Sequence, residues 1–429
     1  MSESNINKIF KELPKNSKGI TLVALVVTIV ILIILATVSI NVVLGEGGLI
    51  QQAKLAKELA SNSIISEEES MNTLMQEYAN IMAAEPEIPE PNPTLSTVEE
   101  AKTEGTVFDE KTPIKDEKDN TIMVPAGFKI AEDSGDTVQQ GIVIEDVSAS
   151  TDANVQGSQY VWIPVGTFKK DDGSTSGNIQ LARYTFSTSS PGTPTAKQYA
   201  TNYTASTVIE SYYTESVTYD VGYESSGLDG RNATAKDLKG FIDSVEENGG
   251  YYIGRYEASY ASGSSGADYK AASKVSTGNS TSRMSYTKGT LWNFITQPTA
   301  SKVAINTYAE STSVKSDLIN SYAWDTAIVY IQESGHTNYA NQNSKNSSLS
   351  NTGNLAEGIK DEVCKINDMA SNVREWTTEH SSRTLSSSAI PCVYRGGYYE
   401  GSGYYTANRG TNGSTISDYT FGFRLSLYM

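Results

Sequence analysis

The sequence predicts an α+β protein in which a long N-terminal helix leads into a large, β-rich head. Three stretches carry that prediction. Ile20 to Val43 holds no charged residue. That is roughly 36 Å of helix at about 1.5 Å per residue, enough to cross a bilayer core of about 30 Å. Glu85–Pro93 then alternates proline with charge, which forbids helix and favours an extended spacer. From Thr121 onward, short apolar runs bounded by turn formers replace the helical period.

Residues 1–19 form a polar leader carrying Lys8, Lys11, Lys15 and Lys18, and the first acid after the apolar run is Glu46. This asymmetry keeps the start cytoplasmic and sends the remainder outward. A plain membrane anchor and a cleaved secretory signal compete as readings. The second expects a shorter apolar core and a small-residue cleavage site, which are not found here. Gly45, Gly47 and Gly48 loosen the helix, and helical periodicity resumes from Leu49 to about Ala83. Residues 20–83 are therefore read as transmembrane and stalk helix, 84–95 as a linker, and 96–429 as the head. Within the head, a short helix is expected near Val98–Lys102 and strands over Met123–Ile130, Gly141–Asp146, Tyr160–Gly166 and Tyr251–Glu257. Thr234–Glu247 and Ser321–Gln332 read as helices, and Leu291–Thr296 as a further element. Residues 169–235, rich in Ser, Thr, Tyr and Gly, read as a loop-rich surface insertion.

Composition narrows the function. A net charge of −17 argues against nucleic acid, which needs a concentrated basic surface. The 26 tyrosines and 34 glycines suit a wet, loop-rich extracellular surface. Cys364 and Cys392 are either one bridge or two thiols. Two histidines exclude a His-rich metal site, and no cofactor is implied.

Lys18-Gly19-Ile20-Thr21-Leu22 resembles the leader junction of type IV prepilins. That resemblance implies a prepilin peptidase cutting between Gly19 and Ile20. The apolar run would then serve as membrane anchor and as packing stripe against other pilin subunits. Ala24 stands where such proteins usually carry a glutamate.

The head resembles the formylglycine-generating-enzyme, or sulfatase-modifying-factor, version of the C-type lectin fold. The matching pieces, in order, are YVWIPVGTF (160–168), YIGRYEA (252–258), SYAWDTAIVY (321–330), INDMASNVREWT (366–377), YRGGY (394–398) and GFRL (422–425). Read from the residues themselves, Met369 and Trp376 are buried anchors, and Arg395, Glu375 and Arg424 are either an internal ion-pair network or, for the two arginines, plain structural residues, the preferred reading. Oxidase members carry two cysteines after Arg-Gly-Gly, whereas Tyr398–Asn408 contains none, so an enzyme is not expected. Some members bind calcium near the positions of Asn372 and Glu375; a capping asparagine and a structural glutamate are the preferred reading here.

Between the fixed pieces Arg395-Gly396-Gly397 and Gly422-Phe423-Arg424 lie Tyr398, Tyr399, Tyr404, Tyr405, Asn408, Thr411, Asn412, Ser414, Thr415, Ser417, Asp418 and Tyr419. Tyrosine supplies contact area at low entropic cost, and Ser and Asn supply adaptable hydrogen bonds. The segment resembles the variable region in target proteins of diversity-generating retroelements. The expectation is a cell-surface protein whose C-terminal loops bind an unknown surface ligand.

Overall fold

The computed structural model describes residues 26–33, 35, 54, 57, 96–188, 199–206, 213–215, 238–264, 268–280, 286–342, 361–382, 384–385, 388–399 and 404–429. The chain divides into Met1–Pro93 and Thr94–Met429. In the first unit, residues 26–33 are helical and exposed. Among the described residues, no helix is long and apolar enough to cross a membrane. The Gly19–Ile20 junction, Ala24, most of the 20–83 helix and the 84–95 linker lie outside the described residues.

The second unit is α+β. It opens with α1 (Val98–Glu104), started by a capping box in which Thr97 and Glu100 satisfy each other's backbone amides. Strands β1 (Thr112–Lys115), β2 (Thr121–Val124), β3 (Phe128–Ile130), β4 (Val143–Asp146) and β5 (Gln159–Pro164) follow. The apolar stretch 123–130 is thus two strands, because Pro125 and Gly127 turn the chain between them. The 169–235 stretch is not loop alone. It contributes the hairpin β6 (Arg183–Thr188) and β7 (Tyr199–Ser206), then β8 (Tyr213–Glu215), and buries Ile179, Tyr184 and Phe186 in the core. Residues 189–198, 207–212 and 216–235 lie outside the described set.

The predicted amphipathic helix is α2 (Leu238–Asn248), with Phe241 and Val245 buried. Next come β9 (Gly250–Gly254), β10 (Ser259–Ser262) and β11 (Lys270–Ala272). Leu291–Thr296 forms no regular element. It leads instead into α3 (Gln297–Thr307), which has little apolar periodicity to announce it. After β12 (Lys315–Leu318), α4 (Ser321–Glu333) begins at an Asn320 cap and is buried along almost its whole length. The chain closes with β13 (Glu362–Val363), β14 (Ile366–Asn367), β15 (Arg374–Ser381), β16 (Thr384–Leu385), β17 (Ser388–Ala389), β18 (Cys392–Arg395), β19 (Arg409–Asn412), β20 (Phe421–Phe423) and β21 (Leu425–Tyr428).

Two larger sheets frame the core. One is six-stranded in the order β12-β21-β9-β5-β4-β3, with Trp162, Tyr251 and Tyr252 fully buried. The other runs β19-β18-β15-β20, with β8 also on β15. β15 is its spine. It pairs antiparallel with β18 (Trp376 opposite Tyr394) and parallel with β20 (Arg374 opposite Phe421). Gly396 has φ 82°, and a Cβ there would sit 2.6 Å from the Met369 carbonyl oxygen. At Gly397 the Ala370 oxygen would be only 2.1 Å away, so no side chain fits either position. Met369 and Trp376 are the expected buried anchors.

The ion-pair network forms, and it is in fact two. Arg424 pairs with Glu375, Nη2 to Oε1 at 2.6 Å, and donates to the Gly254 and Asn367 carbonyls. Arg395 belongs to a different cluster, pairing with Asp325 of α4. In that cluster Arg409 lies 2.9 Å from both Asp325 and Glu379, and Arg183 lies 2.5 Å from Glu379. The split has a geometric cause: Glu375 and Glu379 lie on one strand, four residues apart, and each draws its own arginines. Burial opposes the charge on Asp325, but Arg395 and Arg409 outweigh it and hold its carboxyl below the usual range. Cys364 and Cys392 are both free and buried, so the bridge does not form.

Around Arg424 the balance is reversed. Burial pushes Asp361 up to about 6 and Asp368 up to about 7, and raises Glu257 and Glu375 as well.

Two stability predictions follow from these clusters. Asp325→Asn leaves buried guanidiniums under-compensated and lowers unfolding free energy by about 3 kcal/mol, read from denaturant midpoints at constant slope. Asp361 and Asp368 bind protons more tightly folded than unfolded, so stability falls as pH rises from about 4 to about 7 and then levels off. Asp368→Asn should stabilise the head at pH 8 and flatten that profile in pH-resolved melts.

Candidate functional site

The twelve C-terminal positions singled out from sequence all reach the surface. Tyr419 and Thr415 are exposed; Tyr398, Tyr399, Tyr404, Tyr405, Asn408, Thr411, Asn412, Ser414, Ser417 and Asp418 are half-buried. Between them Thr406, Ala407, Arg409 and Thr420 point inward and are buried. The segment is therefore built on two levels, with a wet rim and a floor fixed by packing and charge.

The rim has an aromatic line. Tyr404 meets Tyr398 edge-on at 4.9 Å, and Tyr398 meets Tyr399 at 6.3 Å. Tyr399 then meets Tyr419 at 6.3 Å, and Tyr419 meets Phe294 at 6.1 Å. These separations are those of favourable offset ring pairs.

Arg374 lies beneath one end of the line. Its guanidinium carbon is 4.2 Å from the Phe421 ring centre, 4.4 Å from Tyr398, 5.0 Å from Tyr394 and 5.5 Å from Tyr404. Each distance is within cation–π range. Phe421 in turn stacks on Trp376 at 4.3 Å with the planes 10° apart, which joins the site to the core. Arg374 also donates through Nη2 to Thr420 Oγ1. The Asp418 carboxylate is occupied by Thr420, accepting from its amide and its hydroxyl at 2.8 Å each.

The other end is held from afar. Phe294 adopts φ 55°, an unusual conformation for an aromatic residue. It is fixed there by its amide donating to the Asp418 carbonyl at 3.1 Å and by Ser417 Oγ donating to its own carbonyl. Asn293 Nδ2 donates to the Tyr419 carbonyl at 3.0 Å. In the middle, the Tyr399 amide donates to the Asn372 carbonyl at 3.0 Å, and Asn372 Nδ2 donates to buried Glu257. The rim therefore hangs from the buried acid cluster.

The remaining predicted positions are placed apart from the ring line. Asn408 closes a turn onto the Tyr405 carbonyl, and that turn is pinned by Ala407 to the Ala340 carbonyl and by Trp324 to the Thr406 carbonyl. Thr411 and Asn412 lie along β19, the edge strand, and Ser414 follows in the turn after it. Asn372 and Glu375 are engaged by Glu257 and Arg424, the structural roles preferred for them. Among the described residues, no group of three or more His, Cys, Asp or Glu side chains could hold a metal ion. Sequence reading missed Arg374, Phe421 and Phe294. Arg374 sits at the unspecified position of Asn-Val-x-Glu-Trp, and nothing in the local sequence connects Phe294 with Tyr419.

No protein-family model matches the chain, and no curated protein matches it. Among solved structures, Treponema denticola variable protein 1 matches with 14% identity over 51% of this chain and 94% of that one, at a TM-score of 0.27. CarF matches with 16% identity over 28% of this chain and half of its own length, at a TM-score of 0.21. Both scores lie below the level at which a shared fold follows.

Proposed function

We propose that this chain is a pilin-like surface protein, anchored in a membrane or incorporated into a pilus, that displays a C-type-lectin-like head for non-covalent ligand binding. The observation that carries the binding reading is the half-exposed line of Tyr404, Tyr398, Tyr399, Tyr419 and Phe294 on an ion-paired, fully buried floor. Rigid aromatic contacts lose little entropy on binding, and the hydroxyls and amides of the rim supply direction. A prepilin peptidase and other pilin subunits would be partners of the N-terminal segment.

A sulfatase-modifying oxidase fits less well. Burial pushes the Cys364 thiol up to about 12, away from a reactive thiolate, and Cys392 is fully buried, out of reach of a substrate. Diversification fits the two-level segment. Arg409 is committed to Asp325 and Glu379, and a Cβ at Gly410 would meet the Tyr394 ring at 2.2 Å.

Two measurements test this reading. The Tyr398, Tyr404 and Tyr419 triple alanine variant should lose at least about ten-fold in binding of the full chain to target cells while melting normally. Unchanged binding would leave a structural pilin with a passive head. Deep sequencing of codons 395–424 across closely related cells should show substitutions at the rim positions with Thr406, Arg409 and Gly410 constant. Even drift across rim and floor would remove diversification.

A further inference from the structure

We infer that the ring line surrounds a fixed carboxylate socket, and that the ligand is a peptide or protein segment presenting an Asp, Glu or chain-terminal carboxylate to Arg374. The inference rests on the binding reading above and adds the chemistry of the ligand. Charged side chains are rarely buried without an opposite charge. Arg374 is half-buried, its Nε is fully buried with no acceptor, and among the described residues no carboxylate pairs with it. The neighbouring acids are already engaged. Asp418 accepts from Thr420, and Glu375, next along β15 and therefore facing the other way, is held by Arg424.

Of the two charge clusters that flank β15, the one behind Tyr394 is net cationic, although the chain as a whole carries −17. β18 places Arg395 next to Tyr394, and the cluster behind it sets Arg183, Arg395 and Arg409 against only Asp325 and Glu379. The four rings hold the guanidinium in place, with Nη2 donating to Thr420 and a further hydrogen bond shared with the Tyr394 side chain. A preorganised guanidinium presents a fork matched to a carboxylate, and such charge-assisted bonds are about twice as strong as neutral ones. Arg374 also lies outside the segment between Arg395 and Arg424. A changing rim would therefore select the sequence around the acid, while Arg374, held by Tyr394 and Phe421, neither of them a rim position, keeps the acid itself.

The test is selection from a randomised peptide library displayed on phage, against the purified full chain, with each enriched peptide re-measured against variants. Peptides whose binding requires Tyr404 and Tyr419 should be enriched in Asp and Glu. Converting the key acid to its amide should weaken them by about ten-fold or more, as should Arg374→Met, and affinity should fall with added salt. Arg374→Lys should retain part of the affinity. If Arg374→Met fails to fold, the acid-to-amide exchange and the salt series on the unaltered chain carry the same information. Tyrosine-dependent peptides without acidic bias, indifferent to the amide exchange, would overturn the carboxylate socket and leave the aromatic surface standing. Recovery of no tyrosine-dependent peptide would overturn the aromatic surface and the socket together.

Discussion

The buried pairing of Arg395 and Arg409 with Asp325 and Glu379 is the interaction on which the rest of the head depends. Ions can stay in a dry interior only when partner and geometry are both supplied, and removing one partner costs far more than the pair contributes. Here one cluster ties α4, β15, β18 and β19 to the β6 hairpin, because Asp325, Glu379, Arg395, Arg409 and Arg183 each come from a different one of these elements. Burial of these groups leaves the backbone little choice of register. Arg409 in particular stakes down the middle of a segment whose neighbours are free to face solvent.

β15 turns that constraint into a surface. Its successive side chains alternate between the two faces, so Glu375 enters the acid cluster with Arg424 while Arg374 emerges among Tyr394, Tyr398, Tyr404 and Phe421. The parallel neighbour β20 supplies Phe421, stacked on Trp376, and the antiparallel neighbour β18 supplies Tyr394. The rim is thus one residue away from the core along the same strand. Such a surface can exchange most rim side chains without disturbing the floor, Asp418, whose carboxylate holds Thr420, being the exception.

The acid cluster beneath Tyr399 works with the opposite sign. Glu257, Glu375, Asp361 and Asp368 surround Arg424 with more carboxylate than it can neutralise, so burial favours their protonated forms. The Asn372 carbonyl and the Tyr399 amide transmit that cluster's position to the rim. One cluster secures the head by full pairing; the other leaves it sensitive to proton concentration.

By itself the sequence determined the element types whose signals are local. Periodicity marked α2 and α4, turn residues bounded β3 to β5 and β9, and the alternation of Tyr, Asn and Ser between the two glycine-bearing pieces marked the rim. Chemistry encoded in single residue types was legible too, including the absence of cysteines after Gly397. Only the tertiary structure decided which arginine meets which acid, because Glu375 and Glu379 are indistinguishable until strand pairing, with its register shift between Trp376 and His380, assigns each its neighbours. It alone brought Phe294 to Tyr419 and Arg374 under Tyr398, since those contacts join segments far apart along the chain and leave no periodic trace. It also drew strands from the stretch 169–235, where polar and aromatic residues mask the period until Tyr184 and Phe186 find a core to enter.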